Sequence, residues 1–475
     1  MQRYDAVVVG GGPNGLVAAI TLARAGKRVV LFEAAERVGG GLRSAELTLP
    51  GYTHDIGSAV HPLGVGSPVL RSLPLADYGM RWIYPRIPLA HPLDGRPAAI
   101  LQRSVAQTAA GLGRDAAAYR LLMEQPVRRW EAIIAEVLGP LRVPNPRNLP
   151  ALMGFGMRAI WPTTLLARAI FREEPARALL AGICAHACLP LEEAPSAAFG
   201  MVLGMLAHAV GWPMPQGGAQ RLADALATML RDLGGEIVTG RRIDALDDLP
   251  ATKAVLFDTA PRQLARIAGD RLPRGYRQAL GEYRHGAGIF KLDWALDAPI
   301  PWADPRCHEA GTLHLGGTLD ELATSERAPD RGEHHERPYV LLVQPSRFDA
   351  GRAPAGKHTA WAYCHVPHGS TLDMSHAIEA QVERFAPGFR ERILARSALG
   401  TAALEAWNAN LIGGDITGGR PDARQLFTRP VVSLNPYATP RRGIYLCSAS
   451  TPPGPGVHGL CGYYAAQTAL RDLGG

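Results

Sequence analysis

Lysine is almost missing from this 475-residue sequence: only Lys27, Lys253, Lys291 and Lys357 stand among 50 basic residues, and the arginines are scattered rather than blocked. With no basic stripe interleaved with aromatics, the formal charge of +7 leaves no footprint for nucleic acid. Cysteine is scarce too. Six residues (Cys184, Cys188, Cys307, Cys364, Cys447, Cys461) in so long a chain make no disulfide framework and fit a reducing compartment. No uninterrupted run of about 18 apolar residues offers a transmembrane span. The first strand-like run starts at residue 6, leaving no room for a signal peptide, so a cytoplasmic protein is expected. Metal-ligand spacing is lacking as well: the Glu333-His334-His335-Glu336 cluster matches no recognised pattern, and no metal site is expected. Disorder is excluded by 47% hydrophobic and 20% charged residues, enough to bury a large core in two or three domains.

What is present begins at residue 5. The apolar run Ala6-Val-Val-Val9 feeds into Gly10-x-Gly12-x-x-Gly15, with Pro13 and Asn14 inside the turn, and then into a helix marked by Leu16, Ala19, Ile20 and Leu22. In a dinucleotide site the first glycine makes the tight turn, the second lets the backbone approach a pyrophosphate, and the third lets the helix lie close on the sheet. The free amides and positive end of that helix face the anion. Gly26 caps the helix, Arg28–Phe32 reads as the next strand, and Glu33 ends it, about 20 residues after the glycines, where a carboxylate accepts hydrogen bonds from a ribose.

A second glycine turn follows at once in Arg37-Val-Gly39-Gly40-Gly41-Leu42-Arg43, for which a plain nicotinamide domain has no use. It resembles the Arg-x-Gly-Gly motif of FAD enzymes of the amine oxidase and phytoene desaturase superfamily, although Gly41 stands where that family carries an arginine. His54-Asp55-Ile-Gly57-Ser58 resembles the element lying near the flavin there. Pro215-Gln-Gly-Gly and Ser448-Ala-Ser-Thr-Pro-Pro-Gly-Pro-Gly456-Val-His458-Gly459 complete the ordered set. The whole is similar to FAD-dependent phytoene desaturase-like oxidoreductases, most of all the group named pyridine nucleotide-disulphide oxidoreductase domain-containing protein 2. Further marks of that group are Phe290-Lys-Leu-Asp-Trp-Ala-Leu with Pro299-Ile-Pro-Trp302, the run Gly356–Pro367, and Gly413-Gly-Asp-Ile-Thr-Gly-Gly419. An early redox-active Cys pair and a second strand-glycine-helix site for nicotinamide, which a true pyridine nucleotide-disulphide oxidoreductase needs, are both lacking.

The resemblance implies an α/β fold. A Rossmann-like FAD/NAD(P)-binding domain of the glutathione-reductase type (residues 1–65, 213–265 and 425–475) would carry an inserted α+β substrate domain (66–212 and 266–424). Residues 66–212 read as a mainly helical block without clear alternation. Residues 285–296, 338–344 and 359–366 read as strands of a largely antiparallel sheet. A helix around 376–395 is expected on that sheet, with Pro387 kinking or splitting it. The charged stretch 319–337 reads as a solvated insertion.

Noncovalent FAD is then expected against Gly10, Gly12, Pro13, Asn14, Gly15, Glu33, Arg37, Gly40, Gly41, Leu42, Arg43, Gly57, Ser58 and Ile243. From the C-terminal turn, Ala449, Ser450, Gly456, Val457, His458 and Gly459 join them, His458 by its amide rather than its ring. Lys291 is the first candidate for chemistry, because its strand resembles the one on which flavin amine oxidases carry a lysine that holds a water near the flavin; a surface lysine beside an interface is the alternative. His186 and His208 are candidates to relay a proton, with a neutral core histidine as the usual outcome for these and for His365; His61 is similar. Cys184 and Cys188, one helical turn apart, read as core. Asp293 and Asp415 are given structural duty.

The expected reaction is hydride transfer between an apolar, isoprenoid- or polyene-like substrate and flavin, with oxygen or a quinone taking the electrons. A flavin amine oxidase, which needs an aromatic cage at the flavin face, is the enzymatic alternative. A non-catalytic FAD-binding scaffold is the other. The apolar stretch 151–171 is expected to be a channel helix or a face for peripheral membrane contact.

Overall fold

The computed structural model describes residues 4–474; residues 1–3 and 475, the outer ends of the expected cofactor domain, lie outside the described residues. Ala6–Val9 is buried on both faces, as a short all-apolar strand must be, and it lies in the middle of a five-stranded parallel sheet. The order is Ile444–Leu446, Ala254–Phe257, Ala6–Val9, Val29–Phe32, Glu236–Val238. Alternate residues of the strands serve opposite faces. Ala6 and Val8 meet helices Pro13–Arg24, Gln220–Asp232 and Leu460–Gly474, while Val7 and Val9 meet helix Pro261–Ala268 and Leu280. The last helix reaches the first because Gly462 has no side chain: a Cβ there would stand 1.8 Å from the Asn14 carbonyl oxygen.

A seven-stranded mixed sheet carries the second core. Its order is Ile393–Leu399, Gly288–Leu296, His358–Val366, Val340–Val343, Ala310–Leu315, Ile87–Leu93, Arg96–Leu101, antiparallel except where Ala310–Leu315 meets Ile87–Leu93. Leu292, Trp294, Leu342 and Ala362 pack on helix Ser375–Phe385. Ile289, Leu341, Val343, Trp361 and Tyr363 face the other way, toward helices Ala116–Arg128, Glu174–Cys184 and Ser196–Ala209. The molecule is therefore a Rossmann-like α/β nucleotide-binding unit joined to a larger α+β region.

Two expectations are corrected and one is extended. The block 66–212 is mainly helical but also contains the hairpin Ile87–Leu93/Arg96–Leu101, turned at Asp94-Gly95 with Gly95 at φ 62°. Its first strand is buried at every position, so it shows no alternation. The helix expected around 376–395 ends at Phe385, ahead of Pro387, and Ile393 instead opens an edge strand. The supposed insertion 319–337 begins with helix Leu319–Arg327, fixed by a capping box. Thr318 Oγ1 accepts from the Glu321 amide at 3.3 Å, and Glu321 Oε2 accepts from the Thr318 amide at 2.9 Å. No helix among the described residues is long and apolar enough to cross a membrane.

Candidate functional site

A cavity of about 1210 Å³ runs from the C-terminal ends of the parallel strands to the inner face of the mixed sheet. That exceeds the ~300–1,000 Å³ of a pocket for one drug-sized ligand, so it has room for a large cofactor and a second molecule.

Glycine turns build its first end. Gly10, at φ 104°, turns the chain where a Cβ would meet the Asp258 carbonyl at 2.7 Å; a Cβ on Gly12 would stand 2.6 Å from Asp258 Oδ2. The helix then starts at Pro13, and Gly15 lies so close to the strand that a Cβ would be 2.0 Å from the Gly10 carbonyl oxygen. Glu33 holds the turn together, accepting from the Gly11 amide at 2.7 Å and the Ala35 amide at 2.8 Å. The second turn is tied on where the Gly39 amide donates to the Gly11 carbonyl at 2.8 Å, and a Cβ on Gly40 would approach Gly12 Cα at 3.0 Å. Gly57 sits against the Gly41 carbonyl, to which the Ser58 amide donates at 2.9 Å. Gly41 itself, where the family motif carries arginine, borders open space.

Of the expected cofactor residues, the cavity is lined by Gly10, Gly12, Pro13, Asn14, Glu33, Gly40, Gly41, Arg43, Gly57, Ser58, Ile243, Ala449, Ser450, Gly456 and Val457. Five do not reach it. Gly15 spends its amide on Asp258 Oδ2 at 2.9 Å. Arg37 turns outward to Asp224 at 3.5 Å, and Leu42 is core. His458 is also corrected: its amide closes a turn onto Gly456, its Nδ1 accepts from the Leu460 amide at 3.0 Å, and its Nε2 lies 3.2 Å from the Gly454 carbonyl. Gly459 packs on Val17. Arg43 lines the wall but stacks on Trp407 at 4.5 Å and donates to its carbonyl at 2.6 Å.

Asp258 is the residue the sequence reading missed. Its carboxyl stands at the N-terminus of helix Pro13–Arg24, and burial pushes it up to about 7, with Glu33 adding to the rise and the Gly15 and Gly12 amides opposing it. Asp55 ties this end to the mixed sheet. It accepts from the Ser44 hydroxyl at 2.6 Å and the Ala219 amide at 2.8 Å and is paired with the buried Arg352. Burial works against the charged carboxylate, yet Arg352 and these hydrogen bonds hold it below the usual range.

On the mixed-sheet side, Lys291 is 1% exposed at the cavity wall, its Nζ bound by Asp293 and 5.2 Å from the Trp361 ring centroid. Register explains the grouping. Lys291 is opposite Tyr363 and Asp293 opposite Trp361, so the four share one sheet face, and the Trp361 and Tyr363 rings stack at 6.0 Å and 14°. Burial raises Asp293 to about 6 against the pull of Lys291, and His54 Nδ1 stands 3.5 Å from it. His186 also lines the cavity, with Nε2 at 2.9 Å from His314 Nε2; burial, then the positive field of His365, lower it to about 3, so its ring is neutral. His61 lines it beside Ser58, 3.1 Å from the hydroxyl. His208 does not. It is bonded to the Tyr119 hydroxyl at 2.8 Å and the Arg103 carbonyl at 3.2 Å inside the helical block, because the inner face of helix Ser196–Ala209 turns it away from the cavity. Among the described residues, no group of three or more His, Cys, Asp or Glu could hold a metal.

A family model for the NAD(P)-binding Rossmann-like domain matches residues 8–73. The chain is 26% identical over 556 residues to pyridine nucleotide-disulfide oxidoreductase domain-containing protein 2 of Rattus norvegicus, covering 99% of this chain and 94% of that protein. It is 24% identical over 287 residues, 54% of this chain and 55% of the other, to the lycopene-forming phytoene desaturase of a Paracoccus species. Among solved structures it is similar to an oxidoreductase from Methanosarcina mazei (TM-score 0.67, 17% identity, 99% of this chain and 100% of that one). Putrescine oxidase bound to putrescine gives TM-score 0.62 at 16% identity over 99% of both chains. Over nearly its whole length, then, the chain is related to oxidoreductases.

Proposed function

We propose that the protein is an FAD-dependent oxidoreductase of the amine oxidase kind, acting on an amine carried by an apolar body, with oxygen or a quinone taking the electrons. Residues 1–65, 213–265 and 425–475 form the FAD domain in this reading, and 66–212 with 266–424 the substrate domain. The residues fit the cofactor. Gly12, Gly40 and Gly57 let the turns close on Asp258 and on one another so that backbone lines the cavity, Gly41 borders open space, and Asn14 Oδ1 is buried there without a partner. When bound, FAD supplies a two-electron acceptor for hydride; with no attachment motif at Cys461, it is held noncovalently.

The observation that carries the amine reading is the Trp361–Tyr363 pair on the sheet face that holds Lys291, in the wall of the same cavity as the glycine turns. Aromatic faces and apolar walls suit an alkyl amine. A lysine ammonium beside them disfavours a second cation, so the substrate binds there as the neutral amine, the form that can release hydride. Lys291, oriented by Asp293, keeps a fixed donor at the cavity floor, and His186, held neutral by burial, lines the wall as an uncharged ring rather than as a base. Relatives of known name agree with the class: a full-length match is named an oxidoreductase domain-containing protein, and putrescine oxidase shares the fold.

Anaerobic titration of the purified holoprotein with amines, isoprenoids and retinoids, read at the flavin band, tests this. Bleaching by an apolar amine is expected. Bleaching by an isoprenoid alone would move the protein to the desaturase reading, and a bound flavin that no member bleaches would favour the scaffold.

The mouth of the cavity supports peripheral membrane contact. Leu141 and Ile160 line it and are 66% and 63% exposed, and Met153 and Met157 beside them are 59% and 65% exposed. Residues 137–172 carry Arg142, Arg147, Arg158, Arg168 and Arg172 and no acid, the composition of a face that lies on an anionic lipid surface.

A further inference from the structure

One buried group of titratable side chains lies outside the chemistry described so far. Cys188 follows helix Glu174–Cys184 and a short turn over Ala185–Ala187, so it is not on the helical face that its spacing from Cys184 suggests. Its backbone is left-handed (φ 51°, ψ 40°), and it is the one non-glycine residue with positive φ among those described. For a residue with a side chain such a conformation costs on the order of 1–3 kcal/mol and marks a position that its surroundings over-determine. What they determine here is the direction of the sulfur. Sγ stands 3.2 Å from His365 Nε2, and His365 Nδ1 stands 2.6 Å from Glu326 Oε2.

The three residues come from different elements: a turn, the strand His358–Val366 and the helix Leu319–Arg327. Packing fixes the imidazole. Tyr339 stacks on it at 5.9 Å and Tyr363 leans on it at 5.6 Å. Burial opposes a charge on the His365 ring, but Cys188 and Glu326 on its two sides raise it well above the ordinary histidine range, so the ring stays protonated. The other five cysteines have no such partner. Burial pushes Cys184 and Cys307 up to about 12 and Cys461 to about 11, and pushes Cys364 and Cys447 up as well.

A thiol, a ring nitrogen in contact with it and a carboxylate fixing the other ring nitrogen form the arrangement that activates a sulfur nucleophile. Its reaction partner must be small. Cys188 is 4% exposed and is not in the cavity wall, although Tyr363, which touches His365, and His186, two residues before it, both are. A substrate with an apolar body cannot reach it; a small diffusible oxidant can.

We propose that Cys188, with His365 and Glu326, is a peroxide-reactive site that converts hydrogen peroxide to water and becomes a sulfenic acid. The thiolate sulfur attacks one peroxide oxygen, so an S–O bond forms as the O–O bond breaks. Sulfur gives up two electrons, and the leaving oxygen takes the His365 Nε2 proton and departs as water. Glu326 is a positioning residue: it touches no reacting atom and keeps Nε2 aimed at the sulfur. Peroxide is the two-electron product of oxygen reduction, so its local source rests on the oxidase reading above. The site itself does not.

The test supplies peroxide directly. Folded holoprotein is exposed to stoichiometric hydrogen peroxide for set times, excess peroxide is removed, the chain is unfolded in denaturant containing excess dimedone so that the label reaches every sulfur, and the labelled cysteines are found by peptide mass spectrometry. Cys188 is expected to label at least about tenfold faster than the other five, already at pH 6, where an ordinary thiol is protonated. Glu326→Gln should slow labelling about tenfold near neutral pH and make its rate climb with pH, whereas the wild-type rate stays level. Labelling spread evenly over the cysteines, none at Cys188, or a wild-type rate that climbs with pH as an ordinary thiol's does would overturn the proposal, and the wild-type arms need no variant to fold. Labelling of Cys188 by added peroxide in a protein that forms none with amines would keep this site and remove the oxidase reading.

Discussion

Asp258 shows how one side chain couples cofactor binding to pH. It stands at the positive end of helix Pro13–Arg24, where the glycine turns leave room for a pyrophosphate, and burial pushes it up to about 7. Below that value it is neutral and can share the amides with an anion; above it, a carboxylate would face the phosphates. FAD affinity is therefore expected to fall as pH rises from 6 to 8 in the wild type and to stay level in Asp258→Asn, measured by flavin fluorescence quenching. A wild-type affinity that is flat or rises over this range would separate Asp258 from the cofactor. In the sequence, Gly10, Gly12 and Glu33 were legible because spacing alone carries their meaning. Asp258 was not, because it reaches the turn from a strand 243 residues after Gly15.

At the scale of the element, the strand Gly288–Leu296 is two-faced. Leu292 and Trp294 enter the core under helix Ser375–Phe385, and Lys291 and Asp293 turn a buried ion pair toward the cavity. Removing one partner leaves the other charged in an apolar setting, which costs about 3–5 kcal/mol, whereas replacing both is often close to neutral. Lys291→Met is expected to lower stability by about that amount and Lys291→Met/Asp293→Leu to recover most of it in denaturant unfolding. Equal destabilisation by single and double variants would mean the pair is not coupled. The same scale shows why some elements escaped the sequence reading. Ile87–Leu93 is buried on both faces and so carries no alternation, and Ile393 continues a helical spacing that Pro387 has already ended. Helix Leu319–Arg327 hid in a charged stretch because Thr318 and Glu321 spend their polarity on its first turn.

Across the whole molecule, the cofactor turns, the Lys291 wall and the exposed apolar stretch with its arginines all border one cavity. Co-sedimentation with phosphatidylserine vesicles is expected at low ionic strength, to weaken in high salt, and to be lost in Met153→Glu/Met157→Glu. Equal recovery with neutral vesicles would remove the arginines from the account. Arg352, in the connection between strands Val340–Val343 and His358–Val366, pairs with Asp55, two residues before Gly57, a link between residues 297 apart that no local pattern announces.

The parallel nucleotide-binding sheet, its glycine turns and the return of the last strand and helix to the first are legible from residue order alone, because each is written in a short window where spacing equals geometry. Which candidates face the cavity depends on how distant segments pack. His186 does and His208 does not; Arg37 points away; Trp361 and Tyr363 join Lys291 through strand register; and Cys188 meets His365 and Glu326 across three elements. Side-chain chemistry is local, but what a side chain touches is set by packing between segments far apart in the chain, and one sequence read without its fold carries no record of those distances.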